Sequence, residues 1–172
     1  RCDIKPEFVL GHSLGEFSAL VASGAINYLD AIELVHKRGL FMTEACSGVG
    51  AGMMAILGLD DSTVEEICNE QRKSGKKIWP ANYNLDGQLV LAGIKSDLES
   101  LVDIFTAAGA KKAVVLDMSV ASHCDLLTST VENLKPYLEE FLSDDFDVSI
   151  VSNVTASVYS SKDNAISASL SE

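Results

Sequence analysis

Long apolar runs are missing from this sequence: stretches such as Phe8-Val9-Leu10 and Val114-Val115-Leu116 fall far short of the roughly 20 residues that a membrane-spanning helix needs. No such helix is expected, and no membrane partner. Basic charge is scarce as well. Thirteen Lys and Arg face 25 Asp and Glu, a net charge of -12, which argues against a nucleic-acid binder, because affinity for phosphate backbones comes from cations that neutralise them. The four cysteines, Cys2, Cys46, Cys68 and Cys124, form neither a CxxC pair nor a dense framework. They read as reduced thiols in a cytoplasmic protein. Histidine is limited to His12, His36 and His123, with no pair at metal-ligand spacing, so neither a metal site nor a cofactor is expected. The sequence starts Arg1-Cys2-Asp3, with no methionine, apolar h-region or small-residue cleavage site. It reads as a segment of a longer polypeptide.

What is present suits a globular domain with a substantial core: 172 residues, 47% hydrophobic and 22% charged. The few cations gather at Arg72, Lys73, Lys76 and Lys77 and again at Lys111 and Lys112. Either group is a solvated surface or a local basic face on an acidic body. No internal repeat occurs, and the one biased stretch is a serine-rich end, Ser157 to Ser171.

Glu7 to Leu10 predicts a buried strand ending at Gly11, and Phe17 to Ser23 a helix stopped by Gly24. A second helix is expected from the Asn27 N-cap to about Ala45, with Asp30 favouring its positive end. Beyond the glycine-rich exit at residues 48–52 the pattern alternates. Strand Met53-Leu57, helix Ser62-Lys73, strand Ile78-Tyr83, strand Leu89-Gly93, helix Ser96-Ala108 and strand Lys112-Asp117 follow. That order, β-α-β-β-α-β, is the order of a ferredoxin-like unit. The expected fold class is therefore α/β: a hydrolase-like parallel-sheet core made by 1–52 and 118–172, incomplete here, with a ferredoxin-like subdomain at 53–117 inserted into it. In the returning segment a strand and turn are expected at Ser119 to Ser122, a helix from Leu126 to Leu142, a strand from Val148 to Asn153 and a helix beginning near Ser160.

Gly11-x-Ser13-x-Gly15 has the spacing of a nucleophile elbow, a strained strand-to-helix turn that exposes the serine hydroxyl. The next amide, Leu14 N–H, then points from a helix start toward an oxyanion at the acyl carbon. The alternative is a glycine-bounded turn whose serine caps the helix. Arg38 is the second candidate. Its neighbours at three and four residues, Leu34, Val35, Phe41 and Met42, are apolar, so it lies on the core-facing stripe. A guanidinium there either snorkels over apolar surface or is reserved for a carboxylate, which its planar fork matches. Lys37, four residues after Glu33, has the spacing of a surface ion pair. Among the histidines, His36 reads as structural and His12 as a shaper of the elbow, while His123 lies where sheet ends deliver site residues. Cys124 reads as a packed thiol.

The run Gly11-His12-Ser13-Leu14-Gly15-Glu16, continued by Phe17-Ser18-Ala19-Leu20, resembles the active-site signature of the malonyl-CoA:acyl carrier protein transacylases and the related acyltransferase domains of fatty-acid and polyketide synthases. The likeness continues through Arg38-Gly39, Asn82-Tyr83-Asn84, Ser122-His123-Cys124 and Asn153-Val154. It implies Ser13 as acyl-carrying nucleophile, His123 as its base oriented by a backbone carbonyl, and Arg38 as the ligand of the malonyl carboxylate. It implies malonyl-CoA and acyl carrier protein as partners of a monomer, with Leu14 favouring malonyl and Asn82 and Asn84 rimming the acyl pocket. Val120-Ala121-Ser122-His123 resembles the motif of methylmalonyl-selective synthase domains. The family's oxyanion glutamine lies in a Gly-Gln-Gly motif before the elbow, and nothing ahead of Gly11 supplies it; the segment that supports the histidine is likewise expected beyond Glu172, so the 172 residues are expected to be inactive alone. An α/β-hydrolase or thioesterase shares the elbow but leaves Arg38 unexplained, and a carrier-binding module without turnover leaves Ser13 and His123 unused.

Overall fold

In the computed structural model, which describes residues 5–171, a short strand β1 (Phe8–Leu10) runs into helix α1 (Leu14–Ala22). Gly24, at φ 84°, ends α1 in the left-handed conformation that glycine adopts without penalty. Helix α2 (Tyr28–Ala45) follows, and the Asn27 side-chain oxygen Oδ1 accepts from the N–H groups of Leu29 and Asp30, both at 3.0 Å. Then come β2 (Ala51–Leu57), α3 (Asp61–Lys73), β3 (Ile78–Leu85), β4 (Gln88–Ile94), α4 (Lys95–Glu99), α5 (Val102–Ala107) and β5 (Lys112–Val115). A 3-10 turn at Asp125–Leu127 leads into α6 (Thr128–Phe141), followed by β6 (Ser149–Val151), β7 (Val158–Tyr159) and α7 (Lys162–Leu170). No helix among the described residues is long and apolar enough to cross a membrane. Cys2 lies outside the described residues; Cys46, Cys68 and Cys124 are free thiols.

The chain divides into two compact units, residues 1–41 with 130–172, and residues 42–129. In the first, β1 pairs parallel with β6, Phe8 opposite Ser149 and Leu10 opposite Val151, and β6 pairs antiparallel with β7. Leu20, Leu34, Leu138, Ile150 and Ala165 form the fully buried centre of its core. Because β1 and β6 run the same way, their C-terminal ends lie side by side, the place where α/β sheets assemble binding sites. The second unit holds an antiparallel sheet in the order β3-β4-β2-β5. Its core includes Met54, Ile56, Val64, Cys68, Ile78, Leu91, Leu98 and Phe105. Trp79, the single tryptophan of the sequence, sits on β3 opposite Ala92.

Three local expectations are corrected, and one short strand was not foreseen. The helix foreseen over Ser96-Ala108 is two short helices. Leu101 N–H bonds the Leu98 carbonyl at 3.0 Å, a tightened turn, and Ser100 Oγ donates to the Asp97 carbonyl at 2.6 Å, the local competition with the helix ladder that serine offers. Residues 119–122 form no strand. Ala121 is fully buried there, its carbonyl accepting from the thiol of Cys124 at 3.8 Å. The helix from Leu126 begins as a 3-10 turn and becomes α-helical at Thr128. The two-residue strand β7 had no sequence signal, being too short for an alternation to register.

Candidate active site

Ser13 occupies the N-cap of α1 with φ 49° and ψ -114°. For a side chain other than glycine this region costs about 1–3 kcal/mol and persists only where the surroundings impose it. Two backbone bonds close the turn, Gly15 N–H to the His12 carbonyl and Glu16 N–H to the Ser13 carbonyl, each 2.9 Å. His12 thus shapes the elbow through its main chain. A Cβ on Gly11 would stand 2.0 Å from the carbonyl carbon and oxygen of Gly15, so the turn can close this tightly only around a glycine at position 11. Position 15 is different: a Cβ there meets nothing within 4 Å. The Ser13 side chain makes no capping bond to α1, which sets aside the reading of this serine as a helix cap. Leu14 is the first residue of α1, where the N–H has no partner inside the helix, and its side chain is 52% exposed.

Arg38 projects from α2 onto the same unit. Its guanidinium carbon lies 5.5 Å from the ring centroid of Phe17, a residue one turn past Ser13 and buried. The cation therefore stacks on the aromatic face beside the elbow. Lys37, next along α2, lies over the Tyr137 ring at 5.3 Å, a stacked position in place of the ion pair that the Glu33 spacing suggested. An apolar groove of about 170 Å³ between α1 and α2 is lined by Leu14, Phe17, Val21, Tyr28, Ile32 and Val35.

His123 belongs to the second unit, half-buried in the irregular segment before the 3-10 turn, with φ 57°. Among the described residues three non-glycine positions take positive φ: Ser13, His123 and Ala156. Two of the three are the candidate nucleophile and base, and such conformations concentrate at functional sites. Cys124 beside His123 is pushed up to about 11 by burial, so its thiolate is scarce at neutral pH and the packed-thiol reading holds. Asn82 and Asn84 lie on β3, where Asn82 pairs with Val90 and the register shifts between Pro80 and Asn82 and again between Tyr83 and Leu85, across Asn84.

One residue of the site escaped the sequence reading. Glu16, the last residue of the Gly11–Glu16 run, is fully buried, its carboxylate accepting from Asn153 N–H at 2.8 Å and from the Tyr159 hydroxyl at 2.7 Å. The available signal was a lone charge in an otherwise uncharged helix. Among the described residues no group of three or more His, Cys, Asp or Glu side chains is placed to hold a metal ion.

A strained serine between strand and helix with a stacked arginine beside it makes a candidate serine-centred transfer or hydrolysis site on an α/β scaffold. Residues 3–169 match the acyl transferase domain, and the chain belongs to that family. Its relatives narrow the class. The malonyl CoA-acyl carrier protein transacylase of Escherichia coli strain K12 is 43% identical over 150 residues, and that of Bacillus subtilis strain 168 is 39% identical over 159. These matches take in 87% and 92% of this chain but 48% and 50% of the relatives, so the chain spans about half their length. The α/β fold is that of the crystal structure of malonyl-CoA:acyl carrier protein transacylase from Helicobacter pylori, with a TM-score of 0.92 and 41% identity over 98% of this chain and 53% of that one.

Proposed function

We propose that this chain carries the nucleophile-bearing core of a malonyl-CoA:acyl carrier protein transacylase serving fatty-acid synthesis. The observation that carries the reading is the strained Ser13 at the start of α1, with the Arg38 guanidinium seated on Phe17 one turn further on. His123 takes the Ser13 proton as Oγ attacks the malonyl thioester, and the oxyanion of the tetrahedral intermediate faces the Leu14 amide. Collapse breaks the C–S bond, and coenzyme A leaves as the thiol with the proton from His123. The phosphopantetheine thiol of acyl carrier protein then loses its proton to His123 and attacks the malonyl-serine ester. Ser13 departs and recovers that proton.

Arg38 holds the malonyl carboxylate. A charge-assisted hydrogen bond of this kind contributes about 1.5–3 kcal/mol, a preference over acetyl of roughly 10- to 150-fold. Asn82 and Asn84 rim the acyl pocket. Residues 53–117 form a ferredoxin-like subdomain inserted in the core made by 1–52 and 118–172, a reading supported by the sheet order β3-β4-β2-β5. The protein works as a cytoplasmic monomer without a cofactor, and its partners are malonyl-CoA and an acidic carrier protein.

Intact-mass spectrometry of the full-length protein after mixing with malonyl-CoA or acetyl-CoA tests this. A malonyl adduct is expected in wild type, none in Ser13→Ala, and in Arg38→Ala a loss of malonyl preference in favour of acetyl. An adduct lost to water with no preference for malonyl would mark a hydrolase instead.

A further inference from the structure

Glu16 is the one charged side chain in α1 and it is fully buried. A buried carboxylate is weak evidence for stability, since an apolar side chain of similar volume often serves the fold as well. Its connections point elsewhere. The backbone N–H of Glu16 holds the carbonyl of Ser13 at 2.9 Å, so the strained residue and the buried carboxylate share one short span of chain. From the other end of the same residue, the two carboxylate oxygens reach β7 through Tyr159 and the end of β6 through Asn153 N–H. The loop from Ser152 to Ser157 is closed on itself: Ser152 Oγ accepts from Val154 and Thr155 N–H at 3.2 Å each, and Ser152 N–H bonds the Ser157 carbonyl at 3.0 Å. It also contains Ala156, which has φ 53°. Two of the three positive-φ side chains thus lie in segments that Glu16 ties together.

We propose that Glu16 is a positioning residue for the nucleophile: through its carboxylate it braces the strained turn at Ser13 against the ends of β6 and β7, holding Oγ in its attacking geometry. The inference rests on the transfer reading above. Without the brace the turn relaxes toward ordinary helical φ, and the hydroxyl loses its aim while the acyl pocket stays intact. The loss therefore falls on kcat and spares KM.

The test uses the full-length protein in wild-type, Glu16→Ala, Glu16→Gln and Tyr159→Phe forms, each assayed below its measured melting temperature. Glu16→Ala is expected to lower kcat for malonyl transfer by about tenfold or more with KM within about twofold, and to slow labelling of Ser13 by phenylmethylsulfonyl fluoride in parallel. Glu16→Gln should recover activity to within about threefold, because its amide oxygen can accept from Asn153 N–H while its NH2 donates to a reversed Tyr159 hydroxyl. If Glu16→Ala does not fold, Tyr159→Phe keeps the ring and removes one bond, and a smaller kcat loss without a KM change is expected. Wild-type kcat per folded molecule in both Ala and Phe variants, or a change confined to KM, would overturn the proposal. Sulfonyl labelling separates this from the transfer reading: slowed labelling in the Glu16 variants upholds the brace even where malonyl-CoA leaves no adduct.

Discussion

Gly11 and Gly15 flank the same serine, yet a methyl group added at the two positions meets opposite surroundings. At position 11 it would collide with backbone that cannot move without opening the elbow, so Gly11→Ala is expected to cost about 1–3 kcal/mol. At position 15 it enters open space inside a helix, where alanine is preferred over glycine, so Gly15→Ala should stabilise by about 0.5–1 kcal/mol. Thermal unfolding of the two variants checks both signs. The thiols make a second prediction. Burial raises Cys68 from 9.0 to about 12 and Cys124 from 9.0 to about 11. Between those values and 9.0 the folded chain keeps protons that the unfolded chain gives up. The resulting stability is complete below pH 9.0 and is lost as pH climbs through the folded values. Alkylation by iodoacetamide near pH 8 should therefore spare both thiols until denaturant is added.

Helix α2 was legible almost to the residue because its signals are local: an N-cap at Asn27, an acid in the first turn and a glycine-rich exit. Asn27→Ala removes an acceptor from two backbone donors and should destabilise by about 1 kcal/mol, measurable by denaturant unfolding. The order of strands and helices from Ala51 to Val115 was equally readable, since the apolar period switches cleanly between 2 and 3.6. The failures share a cause. The break between α4 and α5 depends on a single serine hydroxyl with a tertiary partner, Lys76 Nζ at 2.7 Å. The loop before His123 depends on the burial of Ala121. Glu16 is the sharpest case. Its two donors lie 137 and 143 residues away, so no window on the sequence brings them together, whereas Ser13 and Arg38 were made candidates by their spacing and given roles by the family resemblance.

Over these 172 residues the net charge of -12 disfavours the approach of an acidic carrier protein except where cations gather. Lys77, Lys111 and Lys112 are exposed on the second unit, and Lys76 is half-buried with its ammonium on Ser100. Reversing Lys77, Lys111 and Lys112 to glutamate should raise KM for the carrier by about threefold or more at low salt, leave the loading of Ser13 from malonyl-CoA unchanged, and flatten the salt dependence of transfer. Unchanged transfer with an unchanged salt dependence would refute this docking face. The placing of Trp79 on β3 has a spectroscopic consequence. Indole emission from these 172 residues arises wholly within the unit 42–129, while ellipticity at far-ultraviolet wavelengths sums the helices of both units. A melt followed by the two signals therefore measures, in the offset between its curves, how far residues 1–41 and 130–172 come apart at a temperature of their own.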